Sequence, residues 1–307
     1  MLSASPNINQ SLDHPLLEKM GIDLAVKRLD LIHPEVSGNK FFKLKYNLKN
    51  AQDDQTPKIL TFGGAYSNHI QAVAAACKLL HIPCVGIIRG EETLPLNPTL
   101  SAAKSNGMQL HYLSRSAYKT KAKPEFLEDL KNKFGEFSLI PEGGTNQLAI
   151  KGASEILTEE DYQFDFITVA MGTGGTMAGI LEALSPNQTA IGFSSLKGDF
   201  IKDEFQSLIN QHQIHQKAEF IIETSYHFGG YAKFQQALIE FIWWFYEQFG
   251  INLDPIYTGK HFYGIWDLIK KGFFPNGTKI LSIHTGGLQG IEGFTERTGI
   301  KLPTPSK

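Results

Sequence analysis

The feature that most constrains the fold of this 307-residue chain is a repeated pattern: short apolar runs end near glycine and precede helix-like segments. Such alternation is typical of β-α units and a parallel sheet. In open α/β sheets, ligands bind outside the carboxyl ends of the strands, so the glycine loops are expected to converge on one crevice. Four runs carry the pattern, at residues 58–62, 83–88, 164–170 and 278–284.

Three helices are predicted from the same reading. One is alanine-rich and covers residues 71–80, and two more, at 234–248 and 260–271, end just before Gly250 and Gly272, because glycine commonly terminates helices. The second contains the most apolar stretch of the chain, but acidic residues interrupt it and it is too short to span a bilayer. We expect it to be a buried or interface helix.

Chain length and the balance of charged residues restrict the number of domains and the kind of partner that we expect. At 34.1 kDa the chain exceeds the length at which one core usually stops growing, so two compact units are expected. Lys and Arg number 29 against 31 Asp and Glu, which gives no bulk field for nucleic acid or a membrane surface. A small-molecule partner is therefore expected.

The cysteines and the first residues bear on the compartment. Cys77 and Cys84 are seven residues apart, which suits neither a disulfide framework nor a zinc site and predicts buried structural thiols in a reducing compartment. Residues 1–10 are polar and show no secretory signal. Together these observations predict a cytoplasmic protein.

Two segments offer polar side chains beside the glycine loops. Lys40 directly follows Gly-Asn, and a lysine that is partly desolvated becomes a usable amine, although a lysine in such a local sequence is more often a solvated surface residue. In the loop 63–69, backbone donors could face a carboxylate, while Ser67, Asn68 and His69 could equally cap the following helix.

A third segment has the composition of a phosphate-binding loop. Its backbone N–H groups and hydroxyls could wrap a phosphate at a helix start. It is not a dinucleotide fingerprint, because Met177 occupies the third glycine position, and it lacks the Lys-Ser or Lys-Thr of a P-loop. A phosphate from neither a dinucleotide nor a nucleoside triphosphate is therefore expected. The loop consists of Gly172, Thr173, Gly174, Gly175 and Thr176.

Taken together, six ordered blocks resemble the D-cysteine desulfhydrase and 1-aminocyclopropane-1-carboxylate deaminase family from about residue 20 to about residue 295. The resemblance implies a tryptophan synthase β-subunit-like α/β fold of pyridoxal-phosphate enzymes (fold type II), with two three-layer α/β/α domains and mainly parallel twisted sheets. It also implies a large cofactor domain from 1–42 and 149–307, a small domain from 43–148, and an active site between them. The blocks are residues 38–43, 64–69, 142–146, 172–176, 254–260 and 284–287.

The resemblance assigns the cofactor contacts residue by residue. It implies that Lys40 holds pyridoxal 5'-phosphate as a Schiff base and later moves the substrate proton. Lys43 would bind the phosphate together with the loop 172–176. Asn68 would lie against the cofactor ring and its 3-hydroxyl.

Substrate contacts follow in the same way. Ser67 and the neighbouring loop donors, Asn68 among them, would take the substrate carboxylate, and Tyr257 would face the substrate from the other side. The deaminase branch commonly has glutamine after the asparagine, whereas this chain has His69, which could contact a carboxylate or act as a base near neutral pH. A structural role for His69 is the alternative. No metal ligands are expected.

One departure from the deaminase branch bears on the reaction. That branch has glutamate after the tyrosine of the Asp-Pro-x-Tyr block, whereas this chain has Thr258. Threonine cannot keep the pyridine nitrogen protonated as a carboxylate can, which weakens the electron sink and favours β-elimination over ring opening. Thr285 is an alternative partner of the ring nitrogen, and Thr258 could simply cap the following helix.

The resulting hypothesis is a cytoplasmic, homodimeric lyase that converts D-cysteine to pyruvate, ammonia and sulfide. The nearest alternative is 1-aminocyclopropane-1-carboxylate deaminase activity, giving 2-oxobutanoate and ammonia. Another amino-acid racemase or dehydratase of the same fold is a further alternative, since a fold does not fix its substrate. A rival of a different class is a non-catalytic pyridoxal-phosphate-binding protein.

Overall fold

The protein was analysed as a computed structural model, which describes residues 4–5, 8–121 and 123–305. Part of the polar start discussed above, residues 1–3 and 6–7, lies outside the described residues. The strands are β1 Asn9–Leu12, β2 Asp23–Arg28, β3 Ile59–Gly64, β4 Cys84–Arg89, β5 Gln109–Leu113, β6 Ser138–Ile140, β7 Phe166–Met171, β8 Thr189–Ser194, β9 Glu219–Glu223 and β10 Lys279–His284.

Helices follow most strands, as the glycine pattern predicts. They are α1 Pro15–Met20, α2 Asn39–Asp53, α3 Asn68–Leu79, α4 Pro98–Ser105, α5 Arg115–Tyr118, α6 Pro124–Phe134, α7 Gln147–Ser154, α8 Gly175–Ala183, α9 Phe200–His212, α10 Gln236–Phe249, α11 Thr258–Lys270 and α12 Gly290–Thr298. Short 3-10 segments lie at Leu29–Leu31, Glu142–Gly144 and Glu159–Gln163.

The strands form two sheets. One has the order β1-β2-β10-β7-β8-β9, in which only the β1–β2 pair is antiparallel. The other has the order β5-β4-β3-β6 and is parallel throughout. The predicted α/β class with mainly parallel sheets is confirmed. Helix α2 runs through the domain boundary proposed at residue 42, and the domain limits remain a prediction.

Buried apolar side chains cover both faces of each sheet. The largest cluster includes Ile59 of the smaller sheet and Val169 of the larger one, together with residues of helices such as α3 and α8. A second cluster joins the opposite face of the larger sheet to α10 and α11, and a third packs α6 against the smaller sheet. Burial of this apolar surface is the main favourable term in holding helices on both faces of the sheets.

The predicted elements agree with the observed ones to within three residues. Helix α3 begins at Asn68 rather than at residue 71, because Ser67 accepts a hydrogen bond from Ile70 N–H and caps the helix earlier. Helix α10 ends at Gly250, whose φ is +66°, as the glycine pattern predicts. Cys77 and Cys84 are both buried and free, which confirms the structural reading of the thiols.

The aromatic helix α10 is mostly core. Its Phe245 is fully buried, whereas Trp243 is 39% exposed and donates its Nε1–H to the carbonyl of Lys301 at 3.2 Å. None of the helices described here has the length and apolar character needed to cross a membrane.

A buried ion pair ties β2 of the larger sheet to the 3-10 segment Glu159–Gln163. Lys27 Nζ lies 2.9 Å from Asp161 Oδ2, and both side chains are at most 1% exposed. Asn9 joins them by accepting from Lys27 at 3.0 Å and donating to Asp161 at 2.7 Å. Charges buried this deeply are tolerated only when paired and hydrogen-bonded, as these are.

Candidate active site

A cavity of about 680 Å³ opens where strands of both sheets end. This volume is within the range of ordinary small-ligand sites. Of the residues predicted from the sequence, Thr258 alone is missing from the cavity wall. The others that line it are Lys40, Lys43, Ser67, Asn68, His69, Gly172, Thr173, Gly174, Gly175, Thr176, Tyr257 and Thr285.

Backbone packing at the start of α2 positions Lys40. Gly38 has φ +69° and ψ −151°, a conformation that side chains strongly disfavour, and a Cβ there would lie 2.0 Å from the carbonyl oxygen of Thr285. Asn39 N–H donates to the same oxygen at 3.2 Å. The start of the lysine helix is therefore seated directly on the end of β10.

The amine of Lys40 has the electrostatics of a nucleophile. Burial lowers the pKa of Lys40 to about 8, and the charge of Asp254 limits that fall. Lys40 Nζ donates to Asn39 Oδ1 at 3.1 Å, and Asn39 Nδ2 donates to Thr176 Oγ1 at 2.7 Å. Asn39 therefore connects the lysine to the glycine-rich loop.

The loop 172–176 has the form of an anion site. Gly174 has φ +80°, and α8 begins at Gly175, so the N–H groups of its first turn lack partners within the helix. A Cβ at Gly175 would lie 2.7 Å from Thr145 Oγ1 and 3.0 Å from Lys43 Nζ. Because Gly175 has no side chain, space remains beside the amine of Lys43 and the hydroxyl of Thr145.

Lys43 supplies the amine of this anion site. Its side chain is 2% exposed, and its Nζ donates to the carbonyl of Gly143 at 2.6 Å and to Thr145 Oγ1 at 3.2 Å. Burial, followed by the charge of Lys40, holds the pKa of Lys43 well below its ordinary value. An anion beside these two lysines would relieve their repulsion.

The loop after β3 forms the opposite wall. Ser67 both caps α3 and lines the cavity, so the two readings of this residue are compatible. The Oδ1 atom of Asn68 is buried and has no hydrogen-bond partner in the part of the chain that the structure describes. Asn68 faces Gly287, where a Cβ would lie 2.8 Å from Asn68 Nδ2. A polar group of a ligand would satisfy the orphaned oxygen.

His69 lies beneath this loop. It is 2% exposed, and its Nε2 is 2.8 Å from Thr61 Oγ1, while Nδ1 is buried without a partner among the described residues. Burial, with the charges of Lys40 and Lys43, holds the pKa of His69 well below its usual value. The ring is thus uncharged at neutral pH and is a weaker base than a solvated histidine.

Two tyrosines form a further wall. Tyr257 packs on Gly172, where a Cβ would lie 3.1 Å from the tyrosine ring. Its ring centroid is 6.0 Å from that of Tyr231, in an edge-to-face arrangement, and Tyr231 also lines the cavity. Burial, together with Tyr231, holds the pKa of Tyr257 well above its ordinary value, so the phenol keeps its proton.

The two threonines predicted as alternative partners of the pyridine nitrogen differ in burial and in hydrogen bonding. Thr258 is fully buried, and its hydroxyl donates to Asp254 Oδ2 at 2.7 Å and accepts from Asp254 N–H at 2.8 Å. Thr285 lines the cavity, and among the described residues its hydroxyl forms no hydrogen bond. Thr258 thus shapes the start of α11, and Thr285 is the available hydroxyl.

Sequence reasoning missed three contributors to the site. Asn39 and Thr145 lie inside recognised blocks, so their position was a usable signal. Tyr231 lies in a segment outside every block, and nothing local to it indicated the site.

Comparisons with known proteins bear on the family and the fold of this chain. A sequence model of the family described as "Pyridoxal-phosphate dependent enzyme" matches residues 11–286. The mitochondrial bifunctional D-cysteine desulfhydrase/1-aminocyclopropane-1-carboxylate deaminase of Arabidopsis thaliana is 32% identical, over 88% of this chain and 74% of that protein. D-cysteine desulfhydrase of Klebsiella pneumoniae is 27% identical over 91% of each chain. A solved structure of an ACC deaminase homologue superposes with a TM-score of 0.83 at 30% identity, covering 97% of this chain and 94% of its own.

Proposed function

Since the chain belongs to the pyridoxal-phosphate-dependent enzyme family, we propose that it is a lyase of the D-cysteine desulfhydrase type. The reaction would convert D-cysteine and water to pyruvate, ammonia and hydrogen sulfide. In the elimination itself, the bond from Cα to hydrogen and the bond from Cβ to sulfur break, and sulfur leaves with its electron pair.

The residues of the cavity fit the cofactor. Lys43, the hydroxyl of Thr176 and the first turn of α8 form a donor set suited to a phosphate, and Thr145 Oγ1 accepts from Lys43 Nζ at 3.2 Å. The orphaned Oδ1 of Asn68 calls for a polar ligand atom, and the free hydroxyl of Thr285 offers a partner for a ring nitrogen. Pyridoxal phosphate, when bound, supplies the electron sink for the charge left on Cα.

The proposed work of the protein side chains follows from their positions. Lys40 Nζ would hold the cofactor and, once released by the incoming substrate amine, would take the α-proton. Ser67 and the adjacent N–H groups would orient the substrate carboxylate. Tyr257, protonated and packed on Gly172, would close the substrate side. A direct substrate contact by the neutral His69 remains part of the proposal.

The observation that carries the proposal is the placement of Lys40. One amine of lowered pKa is connected through Asn39 to the glycine-rich loop, and it shares a cavity with Ser67 and Asn68. A lysine that merely stabilised the fold would need neither an available amine nor a path to an anion site. Because Ser67, Asn68 and Tyr257 line the same cavity as this amine, the full set argues against a role in binding the cofactor alone.

The test is release of sulfide and pyruvate by purified, cofactor-loaded protein. We expect release from D-cysteine, little from L-cysteine, and none in Lys40→Ala. Ammonia and 2-oxobutanoate from 1-aminocyclopropane-1-carboxylate, without sulfide from D-cysteine, would replace the assignment with the deaminase activity. A coloured protein that is inactive on a panel of D- and L-amino acids would instead support the non-catalytic alternative.

We further propose a homodimer in the cytoplasm. The two buried, unpaired thiols suit a reducing compartment. The partly exposed Trp243 and Phe273 are available for an interface. Light scattering after size exclusion tests the dimer, and a mass of one chain would contradict it.

A further inference from the structure

The block that contains Tyr257 ends in a buried lysine with an unusual set of partners. Lys260 is 2% exposed, and its Nζ donates to the carbonyl oxygens of His227 at 2.8 Å and Gly230 at 2.7 Å. It forms no ion pair among the described residues, and burial lowers its pKa to about 8, a fall limited by Asp254. Keeping an amine in such a place is costly, which points to a specific task.

The partners of Lys260 belong to residues 227–232, called here the aromatic loop. Phe228 and Ala232 have φ values of +52° and +55°, and Gly229 and Gly230 between them are also left-handed. Left-handed backbone costs roughly 1–2 kcal/mol for a residue with a side chain. The loop therefore needs contacts from outside to keep its shape.

Lys260 binds the loop where the turn closes. Gly230 N–H donates to the carbonyl of His227 at 3.0 Å, and Lys233 N–H donates to that of Gly230 at 3.1 Å. These two carbonyls are the ones that accept from Lys260. A single ammonium thus joins both turn hydrogen bonds to helix α11.

The aromatic loop carries a cavity wall. Tyr231 follows the second lysine-bound carbonyl directly, and its ring packs against Tyr257. Tyr257 and Lys260 lie at the start of the same helix, so the loop and the tyrosine are fixed to one rigid element. Arg297 also reaches the loop, through a long hydrogen bond of 3.4 Å from its Nη2 to the carbonyl oxygen of Ala232.

We propose that Lys260 is a positioning residue that holds the aromatic loop and thereby keeps Tyr231 against Tyr257 at the substrate side of the cavity. The claim that this side of the cavity faces the substrate rests on the proposed function, whereas the placement of the aromatic loop by Lys260 does not. Lys260 acts through Tyr231 and does not itself line the cavity.

Hydrogen exchange of the cofactor-loaded protein tests the placement without any substrate. In Lys260→Met, we expect the amides of Gly230 and Lys233 to exchange at least tenfold faster. Lys270→Met, which removes an exposed lysine from the same helix, should leave them unchanged. Unchanged exchange in a folded Lys260→Met protein would overturn the proposal, even if the enzyme proved to act on another substrate.

A double-mutant cycle tests the route of action. Lys260→Met should lower kcat/KM for the turned-over amino acid at least fivefold, mainly through KM, and Lys260→Arg should recover part of the loss. In a Tyr231→Ala background the same lysine change should have little further effect. Additive losses would refute action through Tyr231.

Tyr231→Ala also serves if Lys260→Met fails to fold, because Tyr231 is 45% exposed and its truncation should not unfold the protein. It should by itself lower kcat/KM at least fivefold. Full activity in that variant would exclude the proposed role of the loop. Absence of turnover in the unaltered protein would contradict the proposed function, and the exchange result would still decide the placement.

Discussion

The hydroxyl of Thr258 and the carboxylate of Asp254 are joined at 2.7 Å inside the protein, away from the cavity wall. Asp254 also accepts from the backbone N–H of Thr258 at 2.9 Å. This pairing removes Thr258 from direct contact with a ligand. Thr285, whose hydroxyl lines the cavity, is therefore the partner we propose for the pyridine nitrogen.

Separate valine substitutions should therefore have different effects. Thr258→Val leaves the buried N–H of Asp254 without its acceptor and removes one of the two donors to Asp254 Oδ2, so it should lower the free energy of unfolding by about 1–3 kcal/mol. Thr285→Val should leave stability nearly unchanged but weaken cofactor binding and shift the absorption of the bound cofactor. Denaturant unfolding and cofactor titration measure both effects. A spectral shift in Thr258→Val alone would reverse the assignment.

Gly38 is predicted to tolerate no side chain. A Cβ would lie 2.0 Å from the carbonyl oxygen of Thr285, so Gly38→Ala must move the start of α2 and with it Lys40. We expect a loss of about 3 kcal/mol or more in unfolding free energy, together with loss of cofactor binding. Gly107→Ala is the matched control, because Gly107 has φ +86° but no atom within 4 Å of an added Cβ. Equal losses in the two variants would mean that backbone conformation, rather than the contact, is decisive.

Covalent capture of the cofactor should depend on pH through Lys40. Only the uncharged amine attacks an aldehyde, and burial lowers the pKa of Lys40 to about 8. The capture rate of cofactor-free protein should thus rise about tenfold per pH unit below pH 8 and level off above it. Stopped-flow absorbance gives the profile, with Lys40→Ala as the blank. A midpoint near the ordinary lysine pKa would show that the amine is solvated.

The buried pair of Lys27 and Asp161 should matter for stability and not for chemistry. Lys27→Met leaves the Asp161 carboxylate uncompensated and should cost about 3–5 kcal/mol. Lys202→Met, which breaks the exposed pair with Asp199, should leave the free energy of unfolding nearly unchanged. Thermal unfolding compares them. Activity per folded molecule should stay unchanged in both.

Local sequence patterns were sufficient to predict the α/β class and the positions of the main strands. The glycines at the end of β3 and after β7 and β10 predicted, to within two residues, where these strands end, and strand ends of parallel sheets meet at one edge. Lys40, Lys43 and Asn68 lie next to these signals, so the resemblance could place them before any coordinates. Backbone conformational preferences depend on a few neighbouring residues and can therefore be predicted from the sequence.

Contacts between distant segments could not be derived in this way. The bond from Asn39 to Thr176 spans 137 residues, and Tyr231 meets Tyr257 from a loop outside every recognised block. The directions of Thr258 and His69 depend on which polar partner, Asp254 or Thr61, packing places within reach. The sequence alone determined the fold class, because strand ends and glycine turns are local features of the chain, and its resemblance to a known family predicted the cofactor lysine and the anion loops. Only the tertiary structure decided which hydroxyl faces the cavity and which lysine holds its wall, because side-chain partners are chosen by packing.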